Sequence, residues 1–181
     1  MNLNYFIRHC LAVLVTLMVC TSLSAQTAGT PRETALRFLK ENAVKMGLSP
    51  QDVADIPITD EYQSKNNGVM HVWMQQQYAG IPVFNALIGL HVLPNGEVRY
   101  VSHRLVAQLG GKVNTTAPSL SAYKSVEIAM ANLGFNGFAM PSLKQKTNER
   151  NWLFEGGAVS NTDIPVTACY EPQRDGSVRL A

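Results

Sequence analysis

Cysteine is nearly absent from this chain. Of the three in 181 residues, Cys10 and Cys20 lie in an N-terminal leader and Cys169 stands alone beyond it. Once the leader is removed no intrachain disulfide can form, so stability has to come from burial. Charge is scarce as well. Asp, Glu, Lys and Arg make up 15% of the sequence, where a quarter is usual. Lys and Arg number 15 against 13 Asp and Glu, and with Arg8 in the leader the remaining excess is a single positive charge. That balance leaves no electrostatic footprint for nucleic acid. The chain also lacks H-E-x-x-H, the helical spacing that lets two imidazoles reach one zinc while a Glu activates water. It has no G-x-S-x-G and no phosphate-binding Gly loop. These absences argue against catalysis by the chain itself.

What is present at the N-terminus reads as an export signal over residues 1–25. Arg8 supplies the positive end, and Leu11 to Val19 is an apolar run too short to span a bilayer. Small residues follow, with a cut after Ala25. A retained membrane anchor is one alternative. A lipoprotein at Cys20 is another, disfavoured because Val19 is not small. The expectation is a secreted chain with no stable membrane insertion.

Thr30-Pro31-Arg32-Glu33 opens a helix: Thr30 caps it, Pro31 suits its first turn and Glu33 occupies the capping-box position. Leu36, Leu39, Ala43 and Met46 make an apolar stripe with Phe38 at its margin, and Gly47 ends it. Ser49-Pro50-Gln51-Asp52 repeats the start signal for a short second helix, which Pro57 stops.

Three strands follow, Val69 to Tyr78, Ile81 to Leu93 and Val98 to Leu105, joined by Ala79-Gly80 and Pro94-Asn95-Gly96 as turns. They predict an antiparallel meander. In the simplest register Tyr78 faces Ile81, His71 faces Ile88, Leu93 faces Val98 and Ile88 faces His103. One face then carries Trp73, Phe84, Ile88, Leu90, Val92 and Val101. The other carries Met70, Val72, Met74, Tyr78, Ile81, Val83, Leu87, Leu93, Val98 and Tyr100. Two apolar faces need two covering layers, one of them the C-terminal half or a partner protein. A bulge that shifts the register would instead leave one face wetter.

The run His71-Val72, Gln76, Tyr78, Gly80-Ile81-Pro82-Val83-Phe84-Asn85-Ala86 resembles the propeptide motif of fungalysin- and thermolysin-type secreted metalloproteases. Asp60-Glu61-Tyr62 and Asn67-Gly68-Val69 resemble its lead-in, and Gly47-Leu48-Ser49-Pro50 with Asp52-Val53 a segment before it. The likeness covers Leu48 to Leu105. It implies a propeptide (FTP) domain over residues 30–108, cystatin-like, with a helix packed on the meander. His71, Gln76, Tyr78, Gly80, Pro82, Phe84 and Asn85 are its candidate partner-binding or motif residues.

Gly110-Gly111 through Pro118 reads as a linker, residues 109–118, and contains the glycosylation sequon Asn114-Thr115-Thr116. Residues 119–181 resemble a second, PepSY-like propeptide module. A helix runs from Ser119 to Gly134 with Ala122, Val126, Ala129, Met130 and Leu133 on one face. Strands follow at Asn151–Glu155, Ile164–Tyr170 and from Ser177 on, after the Asp175-Gly176 turn. This module reads as truncated, the front of a longer polypeptide; a short final edge strand is the alternative. The overall class is α+β.

A metal shared by His71 and His103 is disfavoured. The strand carrying Ile88 would separate their backbones by roughly 9–10 Å, and His91 is expected on the opposite face. Cys169, in the apolar run Ile164 to Tyr170, reads as a buried inert thiol. Of the three consecutive glutamines, Gln76 matches the motif and is expected to bond a neighbouring loop backbone. Trp73 and Tyr78 read as packing residues, and Pro82 suits a strand start.

By resemblance, the chain is the pro-region of a zinc metalloprotease, inhibiting and helping to fold a catalytic domain absent from it. That domain would be its partner and would carry the zinc; no cofactor is expected in this chain. A free-standing module that binds or inhibits proteases in trans is the alternative. An enzyme built on the same sheet lacks a paired acid and base.

Overall fold

The computed structural model describes residues 29–181. The first helix, α1 (Pro31–Asn42), begins on Pro31, has Glu33 in its first turn and Lys40 in its last. Both charges complement the helix dipole. The helix stops at Asn42. A 3-10 turn over Val44–Met46 then carries the chain to Gly47, whose φ of 76° makes the left-handed cap. Ala35, Leu39 and Ala43 are the fully buried positions of its stripe, with Leu36, Phe38 and Met46 packed at the edge. The expected second helix is a single 3-10 turn, Pro50–Val53. It is closed by a capping box in which Ser49 and Asp52 exchange hydrogen bonds.

The meander comprises β2 (Met70–Tyr78), β3 (Ile81–Val92) and β4 (Val98–His103). An edge strand that the sequence conceals, β1 (Ile58–Gln63), pairs antiparallel with β2. Its residues after Ile58 are mostly polar and all exposed, so no apolar alternation marks it.

The register differs from the simple one because β3 bulges. Between the Gln75–Leu87 and Gln77–Pro82 pairs, β2 passes through Gln76 alone while β3 passes through Val83 to Ala86. Three extra residues are an odd number, so every side chain beyond the bulge changes face. Tyr78 still faces Ile81, but His71 faces His91 rather than Ile88. A second irregularity between Gly89 and Leu90 leaves Ile88 opposite His103 and puts Val92, not Leu93, opposite Val98.

The expectation of two apolar faces is corrected accordingly. Val72 and Met74 lie beside Leu90 and Ile88, and with Val92 they form one buried face under α1. The open face carries His71, Trp73 and His91, all half-buried. The side chains of Tyr100 and Val101 lie outside the described residues.

In the C-terminal half, α2 (Ala122–Asn132) is capped by the Ser121 hydroxyl, which accepts from Lys124 N–H at 3.2 Å. Ala122, Val126 and Met130 pack on Phe154, whereas Leu133 is 73% exposed and leaves the expected face. The strands β5 (Leu143–Asn148), β6 (Asn151–Phe154) and β7 (Ile164–Thr167) form a small antiparallel sheet. β5 is exposed throughout and has no apolar pattern to announce it. β8 (Tyr170–Pro172) leaves this group and pairs with β3 in parallel, Val83 opposite Tyr170. β9 (Val178–Leu180) then pairs with β8. The larger sheet therefore has six strands in the order β1-β2-β3-β8-β9, with β4 also on β3. It is mixed rather than a pure meander.

The start of segment 109–118 is packed, while residues 114–118 are exposed. Leu109 is buried, a 3-10 turn runs over Leu109–Gly111, and Val113 bridges to Val178. Ile81, Val83, Ala86, Leu109, Tyr170 and Val178 share a second core. Pro31–Ala181 forms one compact unit.

Candidate functional site

The bulge opens a gap beside β2, and Gln76 fills it. Its side chain is fully buried. Its Oε1 accepts from Val106 N–H at 2.7 Å, and its Nε2 donates to Val106 O at 2.9 Å and Asp52 O at 3.1 Å. The amide thus stands in for a missing strand partner and satisfies both polar groups of a loop residue, as a buried amide must. Gln76 touches no solvent.

Asp52 secures the same loop from the other side. Its carboxylate accepts from the backbone N–H groups of Ser49, Gln108 and Leu109, each at 2.8 Å, and from the Ser49 hydroxyl at 2.8 Å. Burial alone would raise the Asp52 pKa. The hydrogen bonds from Leu109, Ser49 and Gln108 outweigh it and hold the group below its ordinary value of 3.8. Gln108 has a left-handed backbone, φ 55°, which bends the chain so that two successive N–H groups converge on one carboxylate. The capping-box pattern Ser-x-x-Asp is the sequence signal that points to Asp52, but only its local bonds follow from that pattern.

The hairpin tip carries most of the remaining motif residues. Ala79 and Gly80 both have positive φ, 50° and 71°, the requirement of a two-residue turn that matches strand twist. Arg150 donates from Nη1 to Ala79 O at 2.9 Å and ties the tip to the β5–β6 turn. Pro82 pairs with Gln77 one residue into β3. The Tyr78 ring lies against Gly110 and edge-on to Tyr170, centroids 6.2 Å apart. Phe84 is 54% exposed on the bulge, next to Asn85, which is left-handed at φ 57°. Asn tolerates that conformation better than most residues. Gln75 holds the bulge by donating to Val83 O at 3.2 Å.

His71 does not join this group. It lies seven residues up β2 from Tyr78, roughly 23 Å along a strand. Its ring stacks on Tyr62, centroids 4.6 Å apart and planes at 13°, and meets His91 edge to face at 4.4 Å and 83°. His91 is therefore on the same face as His71, not the opposite one. The buried Nδ1 of His71 has no hydrogen-bond partner. Trp73 completes the row, 6.4 Å from His91, over Gly89, where a Cβ would come within 2.7 Å of the indole. Burial first, and then the His71 charge, lower the His91 pKa.

Burial, with the Glu171 carboxylate second, pushes the Cys169 thiol up, which keeps it protonated and a poor nucleophile. Among the described residues no three His, Cys, Asp or Glu side chains cluster as metal ligands. No described helix is long and apolar enough to cross a membrane. The expected leader, with Cys10 and Cys20, lies outside the described residues.

What the arrangement offers is a half-exposed aromatic and histidine face and, at the far end of the hairpin, an exposed Phe84 on the bulge. No curated protein matches the chain. Residues 54–105, which run from just after the Asp52 turn through β4, match the Fungalysin/Thermolysin Propeptide Motif (FTP), and the stretch therefore carries the propeptide motif of that protease family.

Proposed function

We propose that this chain is the N-terminal propeptide region of a secreted zinc metalloprotease, exported by a signal peptide over residues 1–25. It acts as the intramolecular inhibitor and folding chaperone of a catalytic domain outside this sequence. The observation that carries the reading is the propeptide motif at residues 54–105, built around a buried Gln76 that fixes the hairpin.

In this reading residues 30–108 form a cystatin-like domain, 109–118 connect it, and 119–181 are a PepSY-like second module. Phe84, Asn85, Pro82, Gly80 and Tyr78 at the tip, and His71 on the open face, meet the catalytic domain. Gln76 and Asp52 hold those surfaces in place from within. A pre-formed surface binds without paying for ordering, which suits an inhibitor that must be released by cleavage rather than by unfolding. Zinc belongs to the catalytic domain, where H-E-x-x-H would hold it.

Reading the coding sequence past codon 181 tests this. A continuation into an H-E-x-x-H domain is expected. A stop codon there, with such a protease encoded next door, would favour the in-trans binder, and with none nearby would contradict both.

A further inference from the structure

The register shift that moves His91 across the sheet also brings two imidazoles together. His71 and His91 are direct cross-strand neighbours on β2 and β3, where opposed Cβ atoms lie roughly 4.5–5.5 Å apart. Their ring centroids are 4.4 Å apart with the planes nearly perpendicular. A divalent ion about 2.0–2.1 Å from one nitrogen of each ring would set those nitrogens about 3.3 Å apart in a tetrahedral arrangement, a span compatible with this separation. The His71 Nδ1 is buried, has no hydrogen-bond partner, and so keeps a lone pair or a proton with nothing to receive it. Tyr62 stacks on the other side of the His71 ring and limits its rotation. Arg99, opposite His91, is turned to Glu97 at 3.3 Å.

We propose that His71 and His91 form a chelating site for a divalent transition-metal ion that favours imidazole, namely Cu2+, Ni2+ or Zn2+, on the open face of the sheet. Two protein ligands leave the remaining coordination positions to water. Such a site is weaker than a closed four-ligand one and follows the usual order, with Cu2+ ahead of Ni2+ and Zn2+. Metal binding here requires no protease partner.

Trp73 lies within 6.4 Å of His91, so a bound paramagnetic ion quenches its emission. The full chain is titrated with Ni2+ while tryptophan fluorescence is followed. Saturable quenching is expected, absent in Trp73→Phe. His71→Ala and His91→Ala should each weaken binding roughly tenfold or more, because chelation by the second ring is lost; His103→Ala should leave it unchanged. A second measurement needs no substitution at the site. Zn2+ added to the unmutated chain should shift the imidazole nitrogen signals of His71 and His91 together in NMR. No saturable quenching, an affinity in either alanine variant equal to that of the unmutated chain, or Zn2+ shifts that spare either ring would overturn the proposal.

Discussion

Asp52 and Gln76 grip one loop between them. Gln76 donates to the Asp52 carbonyl at 3.1 Å and binds both backbone groups of Val106, while the Asp52 carboxylate takes the N–H groups of Gln108 and Leu109. The segment after β4 is thereby fixed to β2 without a strand of its own, and Leu109 enters the second core.

Replacing Gln76 by Leu keeps the volume and removes its three bonds, from Val106 N–H and to Val106 O and Asp52 O. Val106 N–H and two carbonyls are then left buried without partners. The expected cost is about 2–4 kcal/mol, read as a lower denaturation midpoint in urea. A midpoint equal to that of the parent chain would show that the loop is held by packing alone.

Asp52 predicts an acid limb. Its pKa is depressed in the folded state, so its contribution is complete above the unfolded value near 3.8 and is lost as pH falls through the folded value. Stability should drop in that window. Asp52→Asn should cost about 2–3 kcal/mol at neutral pH and flatten the acid limb, since its amide N–H groups face other donors. Unfolding free energies measured from pH 7 down to 2 for both chains check this.

Ala79 holds a left-handed backbone that a residue with a Cβ adopts at a cost of about 1–2 kcal/mol. Asn is the usual occupant of that turn position. Ala79→Asn should therefore stabilise the chain by about 0.5–1 kcal/mol, seen as a higher melting temperature, and leave the Arg150 bond to the Ala79 carbonyl in place.

Tyr170 carries the junction between β3 and the C-terminal strands. It is fully buried, opposes Val83, and donates its hydroxyl to Thr115 O at 2.9 Å. Tyr170→Phe should cost about 1 kcal/mol and Tyr170→Ala about 3–5 kcal/mol. Hydrogen exchange should show β8 and β9 losing protection first in the alanine variant.

The parts of the fold legible in the sequence are those with strong local signals. Pro31 and Gly47 bracket the first helical segment, and Ala79-Gly80 and Pro94-Asn95-Gly96 mark the turns. The run from His71 to Ala86 is legible as a propeptide motif, and the expected bonding of Gln76 to a loop backbone is what it makes. The bulge is not legible, because Val83 to Ala86 reads as ordinary strand; Asn85 next to Phe84 is the one hint of a left-handed residue. Missing it inverted half of β3 and misplaced His91. β1 and β5 escape notice because they lie exposed at sheet edges, so their side chains record solvent and not pairing. Asp52 is visible as a cap, but its long-range bonds to Gln108 and Leu109 depend on how the bulge closes.

The claim beneath all of this is that the sheet and its bulged hairpin serve to engage a metalloprotease domain. The direct test is titration of the purified chain into a fungalysin- or thermolysin-type zinc protease domain, following residual peptidase activity. The account predicts saturable, stoichiometric inhibition that Phe84→Ala weakens without lowering the chain's melting temperature. Full activity at a large excess of folded chain, with no complex detected, would contradict it.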